Sequence, residues 1–209
     1  MKVLVACEKS GTVRDAFARR GHDVMSCDIE ETQSPGNHYK GDIRDVLYDD
    51  WDLLIAHPEC KYVCQSGVQW LHKEPGRWEK MEDAADFIKM FINAKHIKKR
   101  AIENSEPHKY ALQKIGVKYT QIIQPWMHGV PESKGQYMWE FGLEPIEETN
   151  NVKHIYDRLP DKERQPAFYM PPGPERSAKR AKFYPCIAEA FAEQWGNPDY
   201  QRKQLVMNL

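Results

Sequence analysis

The sequence predicts an α/β fold with a mainly parallel, seven-stranded sheet and helices on both faces. Two observations carry this. From residue 2 to about residue 125, short β-branched apolar runs alternate with stretches of helical spacing, a pattern that builds parallel strands joined by covering helices. The chain has 209 residues, 41% of them hydrophobic, which suits one domain around a single core over residues 1–209.

The elements follow in order. Lys2 to Ala6 reads as a buried parallel strand, ended by Ser10-Gly11. Thr12 to Arg20 carries Val13, Ala16 and Phe17 at helical spacing, and Gly21 closes it. Asp23 to Cys27 is a second strand ending in Asp28, and Tyr39 to Ile43 a short third. Trp51 to Ala56 is the fourth, centred on Leu53, Leu54 and Ile55. Glu79 to Lys98 is a long amphipathic helix that leads into a fifth strand, Arg100 to Ile102. Tyr119 to Ile123 and Gln136 to Glu140 are the sixth and seventh. Residues 144–180, rich in proline and charge, read as a loop-rich insert, and Ile187 to Trp195 as a closing helix.

The charge balance is near neutral, with a net charge of -1, so a strong non-specific nucleic-acid binder is disfavoured. Two basic clusters remain: Lys95, Lys98, Lys99 and Arg100, and Arg176, Lys179, Arg180 and Lys182. Each equally suits a solvated helix face or end. The N-terminus lacks a secretory signal pattern and no apolar run is long enough for a membrane span, so a cytoplasmic protein is expected. Five cysteines at irregular spacing do not form a disulfide framework.

Right-handed crossovers place the carboxyl ends of parallel strands on one edge, where ligands bind. The segments at those ends are Cys7-Glu8-Lys9-Ser10-Gly11, Asp28-Ile29-Glu30, Asp42-Ile43, His57-Pro58-Glu59-Cys60 and Glu103-Asn104-Ser105. The first turn lacks the GxGxxG of a pyrophosphate cradle, which disfavours a dinucleotide. Asp28 is placed to accept from ribose hydroxyls, unless it is a cap or turn residue. Asp42 is placed to meet an adenine amino group, with Ile43 over the ring. Ala6, Cys7, Glu8, Ser10, Gly11, Ile29, His57 and Pro58 complete the expected wall. Together these positions favour an adenosyl ligand.

Cys60 stands in a strand-end loop, a setting that lowers thiol pKa values, and Glu103 and Asn104 end the next strand. A thiolate beside a carboxylic acid suits addition of sulfur to C6 of a pyrimidine, with the acid acting at N3 and C5 then taking a methyl group from a sulfonium. The same residues also fit a small buried thiol and a cap. His57, Cys60 and Cys64 form part of a zinc ligand set, but no fourth ligand has suitable spacing. Cys7, Cys27 and Cys186 read as core or loop thiols. Trp70, Trp78, Trp126 and Trp139 are candidates for base stacking or for the core.

The order of these segments resembles the DNA cytosine-5 methyltransferases, and most closely the short versions in bacteriophage genomes. Ala6 to Gly11 with Arg14 and Phe17 is similar to a degenerate first cofactor motif, Asp28 to the acidic residue of the second, and Gly41-Asp42-Ile43 to the third. His57-Pro58-Glu59-Cys60 resembles the Pro-Pro-Cys nucleophile motif and Glu103-Asn104 the Glu-Asn-Val motif. His128 to Lys134 resembles the Gly-Val-Pro-Gln segment, and Tyr184 to Ala190 the final motif. The resemblance implies a Rossmann-like methyltransferase fold, S-adenosyl-L-methionine as cofactor, and Cys60, Glu103 and Asn104 as catalytic residues. It implies methyl transfer to cytosine C5 in DNA; a free pyrimidine nucleotide, or binding without catalysis, are the alternatives. Glu59 replaces a proline and puts a carboxylate beside the thiol, Ser105 follows Glu-Asn, and Ser133-Lys134 replace part of an arginine pattern. The insert at 144–180 stands in place of a target-recognition domain, which implies loose or short specificity. Residues 61–78 correspond to the mobile loop after the nucleophile.

Overall fold

The computed structural model describes residues 1–173, 176–197 and 199–200. Its sheet has strands β1 (Lys2–Ala6), β2 (Asp23–Asp28), β3 (His38–Lys40), β4 (Leu53–Ala56), β5 (Lys99–Asn104), β6 (Gln121–Ile123) and β7 (Gln136–Phe141). They lie in the order β3-β2-β1-β4-β5-β7-β6. The first five are parallel, and β7 runs antiparallel between β5 and β6. This is the Rossmann-like, mainly parallel arrangement expected, with its chain reversal between β1 and β4.

Period-two alternation divides the core into two layers. Val3, Val5, Leu53 and Ile55 face α1 (Thr12–Ala18) and α8 (Pro185–Gln194), through Val13, Phe17, Ile187 and Phe191. Leu4, Ala6, Leu54 and Ala56 face α2 (Arg77–Ile92) and α3 (Lys109–Ile115), through Met81, Ala85, Ile88 and Ile115. Burial on both faces explains why β1 and β4 are continuous apolar runs.

Several expectations are corrected. The third strand ends at Lys40; Asp42 instead caps a 3-10 turn over Ile43–Asp45 through its bond from Arg44 N. α2 stops at Ile92, because Ala94 and Lys95 turn back on Phe91 O and Asn93 O before β5 begins. The basic run at 95–100 is therefore no single helix face: Arg100 is buried in β5, donates to Ile97 O, and lies over the Phe141 ring. Helix α3 is absent from the sequence reading, although His108 caps it by accepting from Ala111 N and Gly116 closes it in the left-handed region. The insert carries short helices α4 (Lys153–Tyr156), α5 (Asp161–Arg164), α6 (Pro166–Tyr169) and α7 (Arg176–Ala181), while positions 174 and 175 lie outside the described residues. Trp139 is core and Trp78 packs against it; Trp126 faces the Tyr156 ring, and Trp70 is exposed. No helix of the described residues is long and apolar enough to cross a membrane.

Arg14 organises the chain over α1. Its buried guanidinium donates to Ser26 Oγ, Thr32 Oγ1, Ser34 O, Ser34 Oγ, Pro35 O and Asp15 Oδ1. Gly11, at φ 74°, lies against it: a Cβ there would sit 2.2 Å from Ser34 Oγ and 2.4 Å from Arg14 Nη2.

Gly11→Ala is therefore expected to lose on the order of 1–3 kcal/mol, from left-handed strain plus displacement of a tethered arginine, measured by denaturant unfolding. A second prediction concerns Glu140 on β7. Burial pushes its carboxyl from 4.5 up to about 7, against a bond from Thr120 Oγ1 at 2.8 Å that favours ionisation. A raised carboxyl favours the fold below pH 4.5, and that advantage is lost as pH rises through about 7. Glu140→Gln should leave stability little changed at pH 4 and raise it by about 2–3 kcal/mol at pH 8.

Candidate active site

The parallel register sets Ala56 of β4 opposite Ile102 of β5, so the next residue on each chain, His57 and Glu103, leave the sheet side by side. His57 Nδ1 and Glu103 Oε2 are 3.2 Å apart, and both side chains are largely buried. Asn104 Nδ2 donates to Pro58 O at 2.8 Å, which ties the two strand ends together. His57 Nε2 and Asn104 Oδ1 are buried and make no hydrogen bond among the described residues. Buried polar atoms of that kind mark a place where a polar ligand is accommodated.

The loop after β4 turns tightly on Cys60, whose carbonyl accepts from Val63 N and Cys64 N. The chain after β5 clamps this turn: Gln65 N donates to Glu106 O, His108 N to Val63 O, and His108 Nε2 meets Tyr62 O at 3.2 Å. The segment expected as a mobile loop is thus packed here, with Gln65–His72 in a 3-10 turn and Val63 and Leu71 buried.

Cys64 lies one turn beyond Cys60, its N–H donating to Cys60 O at 2.9 Å, and its sulfur is 3.2 Å from Ser66 Oγ. The neighbouring Cys64, then burial, and the Glu103 charge hold the Cys60 thiol well above the ordinary thiol range, opposed by Ser105. Cys64 is held below that range by Cys60, with help from the Ser66 hydroxyl. The carboxylate that acts on Cys60 is Glu103, not Glu59, which is exposed. The raised Cys60 thiol differs from the lowered pKa expected of a strand-end cysteine, because it is buried and stands near a carboxylate.

Antiparallel β7 starts beside the end of β5, with Tyr137 opposite Asn104, and this brings Lys134 into the site. Lys134 Nζ donates to Lys182 O at 2.8 Å and faces the Tyr184 ring. Burial pushes its pKa down, against the charges of Glu103 and Cys60. The Phe183 ring meets His57 at 4.8 Å, and Tyr184 Oη donates to Glu132 at 2.5 Å.

The ends of β1, β2 and β3 form a second, acidic half. Cys7 takes a positive φ of 59°, and its thiol is pushed up by burial and by the charges of Asp28 and Asp42. The buried Glu8 carboxylate accepts from Val13 N at 2.7 Å, Arg14 N at 3.1 Å and Ser10 Oγ at 3.1 Å. It occupies the N-terminus of α1, the position at which a phosphate would otherwise be held. Asp28 accepts from Glu30 N, and Ile29 beside it is 77% exposed. Asp42 is engaged by Arg44 through both oxygens, and the Arg44 backbone N–H lowers its pKa. Ala6 and Ile43 bury their side chains in the core, as does Pro58, leaving backbone for contact.

The residues at this edge fit an adenosyl sulfonium. Acidic groups and an exposed apolar side chain stand where the ligand would lie, and the helix end is closed to phosphate. Phe183 enters the site although sequence reasoning gave it no role; Cys64, weighed there only as part of a zinc ligand set, and Lys134, noted only as replacing part of an arginine pattern, enter it as well. Among the described residues no group of three or more His, Cys, Asp or Glu is arranged to hold a metal ion. A hollow of about 290 Å³ lined by Arg20, His22, Ala192, Glu193, Gly196 and Asn197 lies at the opposite edge, where β2 begins, and holds none of these residues.

No protein-family model and no curated protein matches the chain. Among solved structures it is similar to an Entamoeba histolytica methyltransferase, EhMeth, at 17% identity over 73% of this chain and 57% of that one, with a TM-score of 0.44. It is similar to a mutant of Spodoptera frugiperda DNMT2 at 15% identity over 73% and 53%, with a TM-score of 0.37. The bifunctional kinase-methyltransferase WbdD gives 13% identity over 68% and 35%, with a TM-score of 0.39. The chain spans less than two thirds of the length of each of these proteins.

Proposed function

We propose that this chain transfers a methyl group from S-adenosyl-L-methionine to C5 of cytosine in DNA, through a covalent bond between Cys60 and ring C6. The observation that supports the reading is the His57–Glu103 pair, with Asn104 tied to Pro58 O at the root of the loop that carries Cys60, beside an acidic, phosphate-excluding edge. Asp28, Ile29 and the turn from Cys7 to Gly11 would hold the cofactor, which supplies an electrophilic methyl group when bound.

The chain's own residues do the rest. The Cys60 sulfur bonds to C6 and the C5–C6 π pair moves onto C5, which becomes the nucleophile. A proton held between Glu103 and His57 is available to ring N3, where charge develops. The unpaired Asn104 Oδ1 and His57 Nε2 are placed to meet polar edges of the ring. Lys134 brings a positive charge toward Glu103 and Cys60, countering the negative charge gathered there. Loss of the C5 proton to solvent water lets the C–H pair re-form the C5–C6 double bond, and the Cys60 sulfur leaves C6 with its electron pair. The target strand is read by the surface around this edge, to which the chain just after the insert contributes Lys182 O beside Lys134.

The test is incubation with tritium-labelled S-adenosyl-L-methionine and DNA, followed by nucleoside analysis. Label is expected in 5-methylcytosine, and Cys60→Ser should reduce it by at least about a thousandfold while circular dichroism stays unchanged. Full activity in that variant would reject Cys60 as nucleophile. Label on free dCMP and none on DNA would move the substrate to a nucleotide; cofactor binding without turnover on either would make the chain a binding protein.

A further inference from the structure

The insert and the two residues after it hang from two adjacent residues at the rim of the candidate site. Ser133 N donates to Arg164 O at 2.7 Å, and Lys134 Nζ donates to Lys182 O at 2.8 Å. The chain from 164 to 182 therefore leaves and rejoins the edge at one place, and the next residue, Phe183, packs on His57. Its base is fixed by stacked groups: the Arg164 guanidinium lies 5.4 Å from the centre of the Tyr156 ring, which faces Trp126. Between the anchors, α6 presents Phe168, 67% exposed, and Tyr169, 43% exposed, edge to face with centroids 5.1 Å apart. Arg176 of α7 brings Nη2 to 3.5 Å from Phe168 O. Aromatic rings left side by side in water mark a contact surface.

Charge selects the partner. Residues 153–182 hold eight Lys and Arg against four Asp and Glu, a net charge of +4 in a chain whose total is -1. Lys153 and Arg164 are paired with Asp157 and Asp161, whereas Arg158, Lys162, Arg180 and Lys182 are exposed and make no ion pair among the described residues. Cations around exposed rings suit a polyanion that also offers flat apolar faces. In a duplex the base faces are stacked on one another and the bases are reached only at their edges. An unpaired strand offers both ring faces and phosphates. We propose that the stretch around α6 and α7 binds single-stranded DNA, with Phe168 and Tyr169 stacking on bases and Arg158, Lys162, Arg180 and Lys182 meeting phosphates. The inference deepens the methyl-transfer reading and rests on it for the reason a strand comes here: the target cytosine is taken from DNA already unpaired. A chain with little surface for opening a duplex thereby has a substrate that needs no opening.

The test is fluorescence anisotropy of the full chain with a labelled strand of about 12 nucleotides and with its duplex, without methyl donor. The single strand is expected to bind at least about tenfold more tightly than the duplex. Phe168→Ala with Tyr169→Ala should weaken single-strand binding by at least about tenfold and duplex binding by less than about twofold, with circular dichroism and melting unchanged because both rings are exposed. Lys162→Gln with Arg180→Gln removes two charges, so the slope of log Kd against log salt should flatten by about 1.4. Tyr48→Ala is the control: that ring is 71% exposed outside the insert, and its loss should leave binding unchanged. No binding of the single strand, a duplex bound as tightly, a ring variant that binds like the wild type, or an equal loss in Tyr48→Ala overturns the proposal. So does sedimentation showing self-association that the ring variant abolishes, which would make the aromatic pair an interface between copies of the chain. None of these readouts uses a methyl donor. A chain that passes them yet transfers no methyl group refutes the proposed activity and leaves the surface in place, and DNA methylation by the ring variant at the wild-type rate does the reverse.

Discussion

The parallel ladder of β1, β4 and β5 is the constraint on which the site depends. β1 and β4 are apolar on both faces and Ala101 and Ile102 of β5 face opposite layers, so sliding a strand by one residue would turn core side chains into the wrong layer. Leu54 opposite Leu4 and Arg100 therefore leaves no freedom at the far end. His57 N meets Ala6 O, and Glu103 emerges beside His57. The His57–Glu103 geometry is the last rung of a ladder held by buried valine, leucine and isoleucine.

Charge is distributed along that edge in two ways. At β1 to β3 it is acidic, and the Glu8 carboxylate closes the N-terminus of α1 from within the chain. An unclosed helix end attracts anions; a closed one beside Asp28 and Asp42 favours a cation. At β4 and β5 groups of opposite sign stand together: Glu103 against His57, and a half-buried Lys134 whose charge is favoured by Glu103. Each opposes the next, so the edge holds several ionisable groups without a large net charge.

The loops that shape the site are held by backbone bonds more than by apolar packing. The turn at 60–64 is pinned to the chain after β5 through Glu106 O and Val63 O. The loop at 32–36 is pinned to α1 by one arginine that donates to four residues along it and beside it. Neither tie leaves a hydrophobic pattern in the sequence. Arg14 is legible there only as part of a degenerate first cofactor motif, and Cys64 only as part of an incomplete zinc ligand set.

The sequence by itself determined the strands and their faces, because β1, β2 and β4 carry their burial pattern locally and a parallel sheet follows from the alternation with helices. It also determined which residues leave the carboxyl ends, since these follow directly from where the apolar runs stop. Only the tertiary structure decided that β7 runs backward against β5 and delivers Lys134 to Glu103, that Glu103 rather than Glu59 acts on Cys60, and that Arg100 is buried. Local periodicity records whether a residue faces a core; which distant residue it meets there is set by the packing of the whole sheet.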